Sequence, residues 1–161
     1  MATDKRNVNI TISNKQYSES LEQRGEAFSR ELALEDELEI MTEGTLYRKG
    51  DATYIAYDEP ESTGFENERT IIKFADGALS IKRYGGDEEG RMDLTLKEGM
   101  VNITTYVVPM ARFDIEVVTN KVEDMLDDDG LGQILADYNV KLADTARMRN
   151  KLTIDITELP D

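Results

Sequence analysis

The sequence contains no cysteine and no histidine among its 161 residues. Without cysteine no disulfide can form, and no thiolate is available as a nucleophile or a metal ligand. Without histidine the chain lacks the usual general base at neutral pH, so Ser-His-Asp and Cys-His constellations cannot be built. Zinc sites with nitrogen or sulfur ligands are excluded for the same reason. The sequence therefore predicts no metal site and no cofactor, and it does not favour an enzyme.

Long apolar runs are also missing. No segment approaches the roughly 18 apolar residues that indicate a membrane span, and Met1–Ile10 lacks the apolar run of a signal peptide. We therefore expect a cytoplasmic protein. Basic residues are scarce, with 19 against 34 acidic ones and a formal net charge of −15. Such a surface is repelled by phosphate backbones and anionic lipid heads, so we expect neither nucleic acid nor membrane as a partner.

Apolar and polar residues alternate along most of the chain, with the period of two that is typical of half-buried antiparallel strands. Turn residues separate these runs, and the strongest turn signal is Asp76-Gly77 between two clear strands. The other predicted hairpin turns lie at Gly50, Gly99 and Gly130. The runs recur about every 8–12 residues, which is the spacing of sandwiches and barrels. The pattern predicts one all-β domain over residues 1–161.

Two stretches interrupt the alternation. Residues 15–34 are interpreted as an insertion, part helix or irregular strand, because Leu21, Phe28 and Leu32 have near-helical spacing while Gly25 weakens a helix. Val122, Met125 and Leu126 are compatible with one helical turn.

An acidic segment, Asp127-Asp128-Asp129-Gly130, follows that predicted turn. Calcium prefers oxygen ligands, but the spacing is not that of an EF-hand loop, which alternates its ligands and ends in glutamate. Consecutive aspartates before a glycine are ordinary turn formers. We therefore interpret the segment as a solvated turn.

Glycines, aromatic residues and charged residues follow one another in a recognisable order. The set comprises Gly44, Tyr47, Tyr54, Tyr57, Glu59, Gly64, Thr70–Lys73, Arg83–Gly85, Tyr106, Pro109, Phe113, Thr119, Tyr138 and Leu152–Glu158. Over about residues 8–158 it resembles the YwiB-like family of small, uncharacterised bacterial proteins. The resemblance implies an antiparallel up-and-down barrel of the lipocalin-like (calycin) kind, with about 8–10 strands. It carries no established activity, so it transfers no catalytic residue.

Tyrosines and charged residues on adjoining strands form the best candidate site. The alternation places Tyr54 and Tyr57 on opposite faces of one strand and Glu59 on the face of Tyr57. We hypothesise that Arg83 pairs with Glu59 inside the barrel or at its mouth, either as a structural ion pair or as a clamp for a ligand carboxylate. The candidate ligand-binding residues are Tyr57, Glu59, Thr70, Arg83, Tyr106 and Tyr138.

Two classes of function remain open at this point. A barrel of about eight strands has room for one small ligand, so the first hypothesis is a module that binds a small, partly apolar molecule. The alternative is a filled barrel whose strand edges, or the stretch Ser18–Leu34, dock a protein partner or a second copy in a homodimer. An enzyme is the third and least favoured hypothesis.

Overall fold

The structure is a computed structural model that describes residues 5–25, 27–59, 68–84, 92–108, 111–142 and 148–159. Their side chains are described too, except those of 19–24, 27–32, 92, 105–108, 111–113 and 142. Regular structure in these ranges is β-strand throughout, and no helix in them has the length and apolar character needed to cross a membrane.

Ten antiparallel strands form one sheet in the described part of the chain. Their bounds are β1 Lys5–Arg24, β2 Ala27–Lys49, β3 Ala52–Asp58, β4 Arg69–Ala75, β5 Ala78–Tyr84, β6 Met92–Lys97, β7 Val101–Val108, β8 Ala111–Leu126, β9 Gly132–Leu142 and β10 Met148–Glu158. The order in the sheet is β6-β5-β4-β3-β2-β1-β10-β9-β8-β7. Strands that are consecutive in sequence therefore pair, except β6 and β7, which are the two edges of the sheet, and the first strand also pairs with the last. The prediction of an antiparallel up-and-down sheet with about 8–10 strands is confirmed.

The two edge strands, β6 and β7, approach each other and nearly close the sheet into a barrel. Side chains of β7 bridge the seam: Asn102 Nδ2 donates to the Thr95 carbonyl at 2.8 Å, and Thr104 Oγ1 donates to the Asp93 carbonyl at 2.9 Å. The Gly99 amide donates to the Thr119 carbonyl of β8 at 3.0 Å. Because closure leaves no wide open edge, the architecture is consistent with the predicted lipocalin-like barrel.

The predicted turns close the hairpins. Asp76 and Gly77 both have positive φ, 53° and 76°, which is the requirement of the tight two-residue turn that suits twisted antiparallel strands. In the acidic segment the Asp127 carboxylate accepts hydrogen bonds from the amides of Asp129, at 2.9 Å, and Leu131, at 3.0 Å. That carboxylate therefore organises the turn.

The barrel interior is packed with branched apolar side chains that face inward in alternate positions. Leu46, Ile55, Ile72 and Ile81 lie directly opposite one another on β2 to β5, and each is at most 8% exposed. The strands β1, β9 and β10 contribute further side chains to the same cluster, namely Val8, Ile10, Ile134, Ile154 and Ile156. Removal of this apolar surface from water is the main stabilising contribution to the fold.

Of the two alternatives considered for residues 15–34, part helix or irregular strand, the described positions show strand. β1 and β2 continue through this stretch as a long hairpin in which Arg24 pairs with Ala27, and Gly25, with φ of 67°, lies between them. The strand ladder satisfies the backbone hydrogen bonds that a helix would otherwise make. A β-bulge between Gln16 and Tyr17 interrupts the alternation locally, so the period of two is hard to read there.

The helical turn considered for Val122, Met125 and Leu126 is wrong. These residues belong to β8, where Val122 pairs with Ala136 and Leu126 with Gly132. A β-bulge between Thr119 and Lys121 shifts the phase of the alternation by one residue. The bulge lies before Val122 and leaves the spacing from Val122 to Leu126 unchanged. The spacing of a helical turn arises because Met125, which is 48% exposed, is an apolar residue that does not share the inner face of Val122 and Leu126.

Candidate functional site

Three of the predicted site residues form a row across β3, β4 and β5. Tyr57 pairs with Thr70, and Thr70 pairs with Arg83. Residues that pair directly in a ladder share a face, and this face is the interior because Tyr57 is 5% exposed and Thr70 is fully buried. Just beyond β3, the Glu59 amide donates to the Glu68 carbonyl at 2.9 Å. This bond holds both glutamates beside the row.

The side chains of this group, which we call the Glu59 cluster (Tyr57, Glu59, Glu68, Thr70 and Arg83), are closely connected. Arg83 Nε lies 3.5 Å from Glu59 Oε1 and 3.9 Å from Glu68 Oε2. Thr70 Oγ1 donates a hydrogen bond to Glu59 Oε1. The Glu59, Glu68 and Arg83 side chains are 1%, 10% and 14% exposed. Two carboxylates thus face one guanidinium, which leaves a formal excess of one negative charge.

Burial is the largest influence on the Tyr57 phenol. It raises the pKa of Tyr57 well above the usual value, and the negative charge of Glu59 raises it further. Thr70 and Arg83 act in the opposite direction but do not reverse the shift. The phenol therefore stays protonated at neutral pH, and it forms side-chain hydrogen bonds with Thr70 and Glu59.

A second polar group, the Asn150 cluster (Asn14, Thr119, Tyr138 and Asn150), lies on β1, β8, β9 and β10. Tyr138 pairs with Thr119 on one side and with Asn150 on the other. Asn14 Nδ2 donates to Asn150 Oδ1 at 3.2 Å. Thr119, Tyr138 and Asn150 are 2%, 8% and 2% exposed, and burial raises the pKa of Tyr138 to about 12. This cluster is therefore polar, inward-facing and uncharged.

Both clusters lie towards the same end of the barrel, where β3, β5 and β9 end and β4 and β10 begin. In the sheet order β4 is third and β9 is eighth of ten, so the two strands occupy opposite walls once the barrel closes. We call this region the polar end. Hydrogen-bonding groups converge on it from two sides, whereas the other buried side chains of the described interior are apolar except for Thr53.

Several buried oxygen atoms at the polar end lack a hydrogen-bond partner among the described residues. They are Glu59 Oε2, Glu68 Oε2, Asn14 Oδ1 and Thr119 Oγ1. Most buried polar groups in folded proteins are hydrogen-bonded, so four such atoms in one region require an explanation. The described residues contain no group of three or more carboxylates that could hold a metal ion.

Comparison with known proteins identifies the family. A family model described as a domain of unknown function, DUF1934, matches residues 8–154. The chain belongs to this family. The crystal structure of the YwiB protein from Bacillus subtilis is similar to this DUF1934 chain, with a TM-score of 0.56 and 19% sequence identity over 92% of each chain. At that identity the similarity shows a shared fold, and the resemblance noted in the sequence is confirmed. A search of the curated proteins finds no match.

The structure brings four of the six predicted site residues together, namely Tyr57, Glu59, Thr70 and Arg83. Tyr138 lies on the opposite wall, in the Asn150 cluster. Tyr106 belongs to β7, where it pairs with Phe113, but its side chain lies outside the described part. Gly64, Gly85 and Pro109, from the family-like set, are outside the described residues.

Sequence reasoning missed Glu68, Asn14, Thr119 and Asn150 as site residues. Three of them could have been found from the sequence, because each is a polar residue at a position where the alternation predicts an apolar, inward-facing side chain. Asn14 continues the phase of Ile10 and Ile12, and Asn150 precedes Leu152 and Ile154 in phase. Thr119 likewise follows Val117 in phase. Glu68 gave no such signal, because it lies just before a strand and is placed by the backbone bond to Glu59.

Proposed function

We propose that this protein binds a small, partly apolar molecule at the polar end of its barrel. The observation that carries the proposal is the set of buried oxygens without a hydrogen-bond partner in the described part of the chain. Two of them, on Glu59 and Glu68, belong to one wall, and two, on Asn14 and Thr119, belong to the other. A molecule placed between the walls would offer partners to both pairs.

The chemistry of these atoms indicates the kind of ligand. A buried polar group without a partner costs about 1–3 kcal/mol, so a ligand that supplies partners gains affinity from each contact. Three of the four atoms are carboxylate or amide oxygens, which accept hydrogen bonds and cannot donate them, so the ligand must donate to these three, whereas the Thr119 hydroxyl can also donate. Arg83 already faces the carboxylates of Glu59 and Glu68. These contacts favour a ligand with hydroxyl or amino groups over the carboxylate ligand considered from the sequence.

The apolar part of the ligand would contact the interior next to the polar end. Ile55, Ile72 and Ile81 lie two positions from Tyr57, Thr70 and Arg83 on the same strands and face the same interior. A molecule with a polar head and a small apolar body matches this gradient from hydrogen-bonding groups to aliphatic side chains.

Native mass spectrometry of the full chain, purified without denaturation from its own host, tests the proposal. We expect a species heavier than the bare chain by the mass of a small organic molecule, which is lost on denaturation. Glu59→Gln should lower the bound fraction, since it replaces a carboxylate that accepts on both oxygens with an amide that accepts on one. A spectrum that contains the bare chain alone would refute the proposal.

The matched control is Asp128→Asn, which makes the same kind of change at an exposed position of the acidic turn. It should leave the bound fraction unchanged. Circular dichroism of both variants establishes that each remains folded. Equal loss of the bound molecule in the two variants would place the ligand elsewhere and contradict the assignment to the polar end.

One observation favours the alternative function, docking of a protein partner or a second copy. Val101 and Ile103, on the edge strand β7, are 59% and 73% exposed. Exposed apolar residues on an edge strand are common features of interaction surfaces. Sedimentation equilibrium of the wild type and of Ile103→Asp tests this second candidate. Self-association of the wild type that Ile103→Asp abolishes would support docking of a second copy through β7. If the wild type is a monomer at every concentration, that result would count against docking of a second copy.

A further inference from the structure

A groove of about 590 Å³ runs across the outer face of β3 to β6, on the side of the sheet opposite the Glu59 cluster. Its volume lies within the range of about 300–1,000 Å³ that is usual for small-molecule sites. Its lining residues are Tyr54, Ile71, Lys73, Ala75, Asp76, Ala78, Ser80, Lys82, Tyr84, Thr95, Lys97 and Met100. We call it the outer groove.

The floor of the outer groove is made of small side chains and its sides of long ones. Lys73 pairs with Ser80, and Ser80 pairs with Thr95. One step along, Ala75 pairs with Ala78, and Ala78 with Lys97. Small residues beside lysines on a pleated surface create a depression lined by ammonium groups.

The charge of the outer groove is opposite to that of the protein. Three lysines against one aspartate give the lining a formal charge of +2, whereas the whole chain carries −15. None of Lys73, Lys82 and Lys97 has an ion-pair partner within 4.0 Å among the described residues. Elsewhere on the surface, Lys121 and Arg149 are each paired with an acidic residue.

Two aspartates and two tyrosine rings lie in the outer groove or next to it. Asp93 lies opposite Lys82 in the ladder but is not part of the lining, and Asp76 lies in the turn at one end. Lys73 Nζ is 5.6 Å from the centre of the Tyr54 ring, whose other neighbour is the stacked Tyr47 ring. The Lys73 ammonium therefore lies over the Tyr54 ring, and both residues line the groove.

From this geometry we propose that the outer groove binds a small, multiply charged anion through Lys73, Lys82 and Lys97. The ligand carries phosphate or carboxylate groups, because ammonium groups recognise both as point charges. The net charge of the chain repels anions at long range, but at about 0.15 M salt the Debye length is about 8 Å, so contacts within the groove survive while the distant repulsion is screened. This site is separate from the polar end, and either can exist without the other.

Titration of the full chain with inorganic pyrophosphate, and separately with a tricarboxylate such as citrate, tests the proposal at that salt concentration. We expect a saturable calorimetric isotherm for at least one of the two anions, with amide chemical-shift changes at Ser80 and Thr95. The two arms distinguish a phosphate ligand from a carboxylate ligand. No saturable binding of either anion would overturn the proposal.

The double variant Lys73→Gln/Lys82→Gln should bind about tenfold more weakly or worse, since two of three cationic contacts are lost. The control, Lys121→Gln/Lys151→Gln, removes the same charge from a groove on β8 to β10 and should leave the affinity unchanged. Equal weakening in both variants would mean unspecific attraction and refute the site.

Sedimentation equilibrium tests whether the outer groove binds an acidic surface of a second copy of the chain instead of a small anion. Self-association of the wild type that the Lys73→Gln/Lys82→Gln variant abolishes would assign the groove to a second copy and overturn the small-anion proposal. Urea unfolding of each variant should match the wild type, because these side chains lie on the outer face.

Discussion

Arg83 Nε lies 3.5 Å from Glu59 Oε1, on side chains that are 14% and 1% exposed. A charge pair this deep in a protein interior depends on mutual compensation, because each ion alone would be strongly disfavoured away from water. Glu68 supplies a second carboxylate to the same guanidinium at 3.9 Å. The interaction connects the end of β3 to β5 across β4, so it contributes to the arrangement of the polar end as well as to its charge.

Arg83→Leu should destabilise the fold by about 3 kcal/mol, because it leaves the Glu59 carboxylate buried without its cation. Urea unfolding followed by circular dichroism measures the change. Arg6→Leu is the control: Arg6 pairs with Glu158 at 3.1 Å, but these side chains are 39% and 70% exposed. An exposed pair of this kind is worth about 0–1 kcal/mol. Similar losses in both variants would contradict the buried character of the Glu59–Arg83 pair.

Gly44→Ala should destabilise the barrel by about 1–3 kcal/mol through overpacking. A Cβ atom at Gly44 would lie 2.5 Å from Ile10 Cδ1 and 2.7 Å from the Ala56 carbonyl oxygen, and the second contact is with backbone that cannot rotate away. The midpoint of thermal unfolding measures the loss. Asn7→Ala, at an exposed position of β1, should leave the midpoint unchanged. An unchanged midpoint for Gly44→Ala would show that β2 and β3 are further apart than described.

Ile72→Ala should cost about 2–5 kcal/mol, because the 1% exposed side chain fills the centre of the interior and its loss leaves a cavity. Ile103→Ala removes the same atoms from a 73% exposed position and should change the free energy of unfolding by less than about 0.5 kcal/mol. Chemical denaturation of the two variants compares them directly. Equal effects would mean that the assignment of inner and outer faces is wrong.

Stability should fall at alkaline pH partly because of Tyr138. Its pKa is about 12 in the folded chain against 10.0 when unperturbed, so the unfolded chain loses the phenolic proton first. The stabilisation is fully present below pH 10 and is lost as the pH rises towards 12, by about 2–3 kcal/mol in total. Tyr138→Phe should therefore show a shallower decline of the unfolding midpoint between these pH values. Parallel declines for the two proteins would contradict the buried, protonated phenol.

The alternation of side chains was sufficient to predict which residues face inward over most of the chain. Tyr57 and Glu59 share a phase on one strand, and a short turn at Asp76-Gly77 brings Arg83 back beside Thr70, so the cluster follows from local pattern and hairpin order. The Asn150 cluster could not be assigned in this way, because its position opposite the Glu59 cluster depends on the contact between β1 and β10. Local patterns carry no information about that pairing of the two chain ends.

An exposed apolar residue and a bulge account for the two stretches in which the alternation was hard to read. Val122 and Leu126 share the inner face of β8, whereas Met125 is apolar but 48% exposed, so the three residues have the spacing of a helical turn although they lie on a strand. The bulge at Gln16 and Tyr17 interrupts the alternation within the long β1–β2 hairpin. Whether such a segment forms a strand or a helix depends on its backbone hydrogen bonds with neighbouring strands. Those hydrogen bonds cannot be predicted from the sequence of one segment alone.

A crystal structure of the full chain purified from its own host, at a resolution that separates water from organic molecules, tests the ligand proposal most directly. We predict continuous density for a small molecule at the polar end, with donor atoms within hydrogen-bond distance of Glu59 Oε2 or Glu68 Oε2. Density for ordered water alone at those oxygens, or for side chains of the protein itself that satisfy them, would contradict the account.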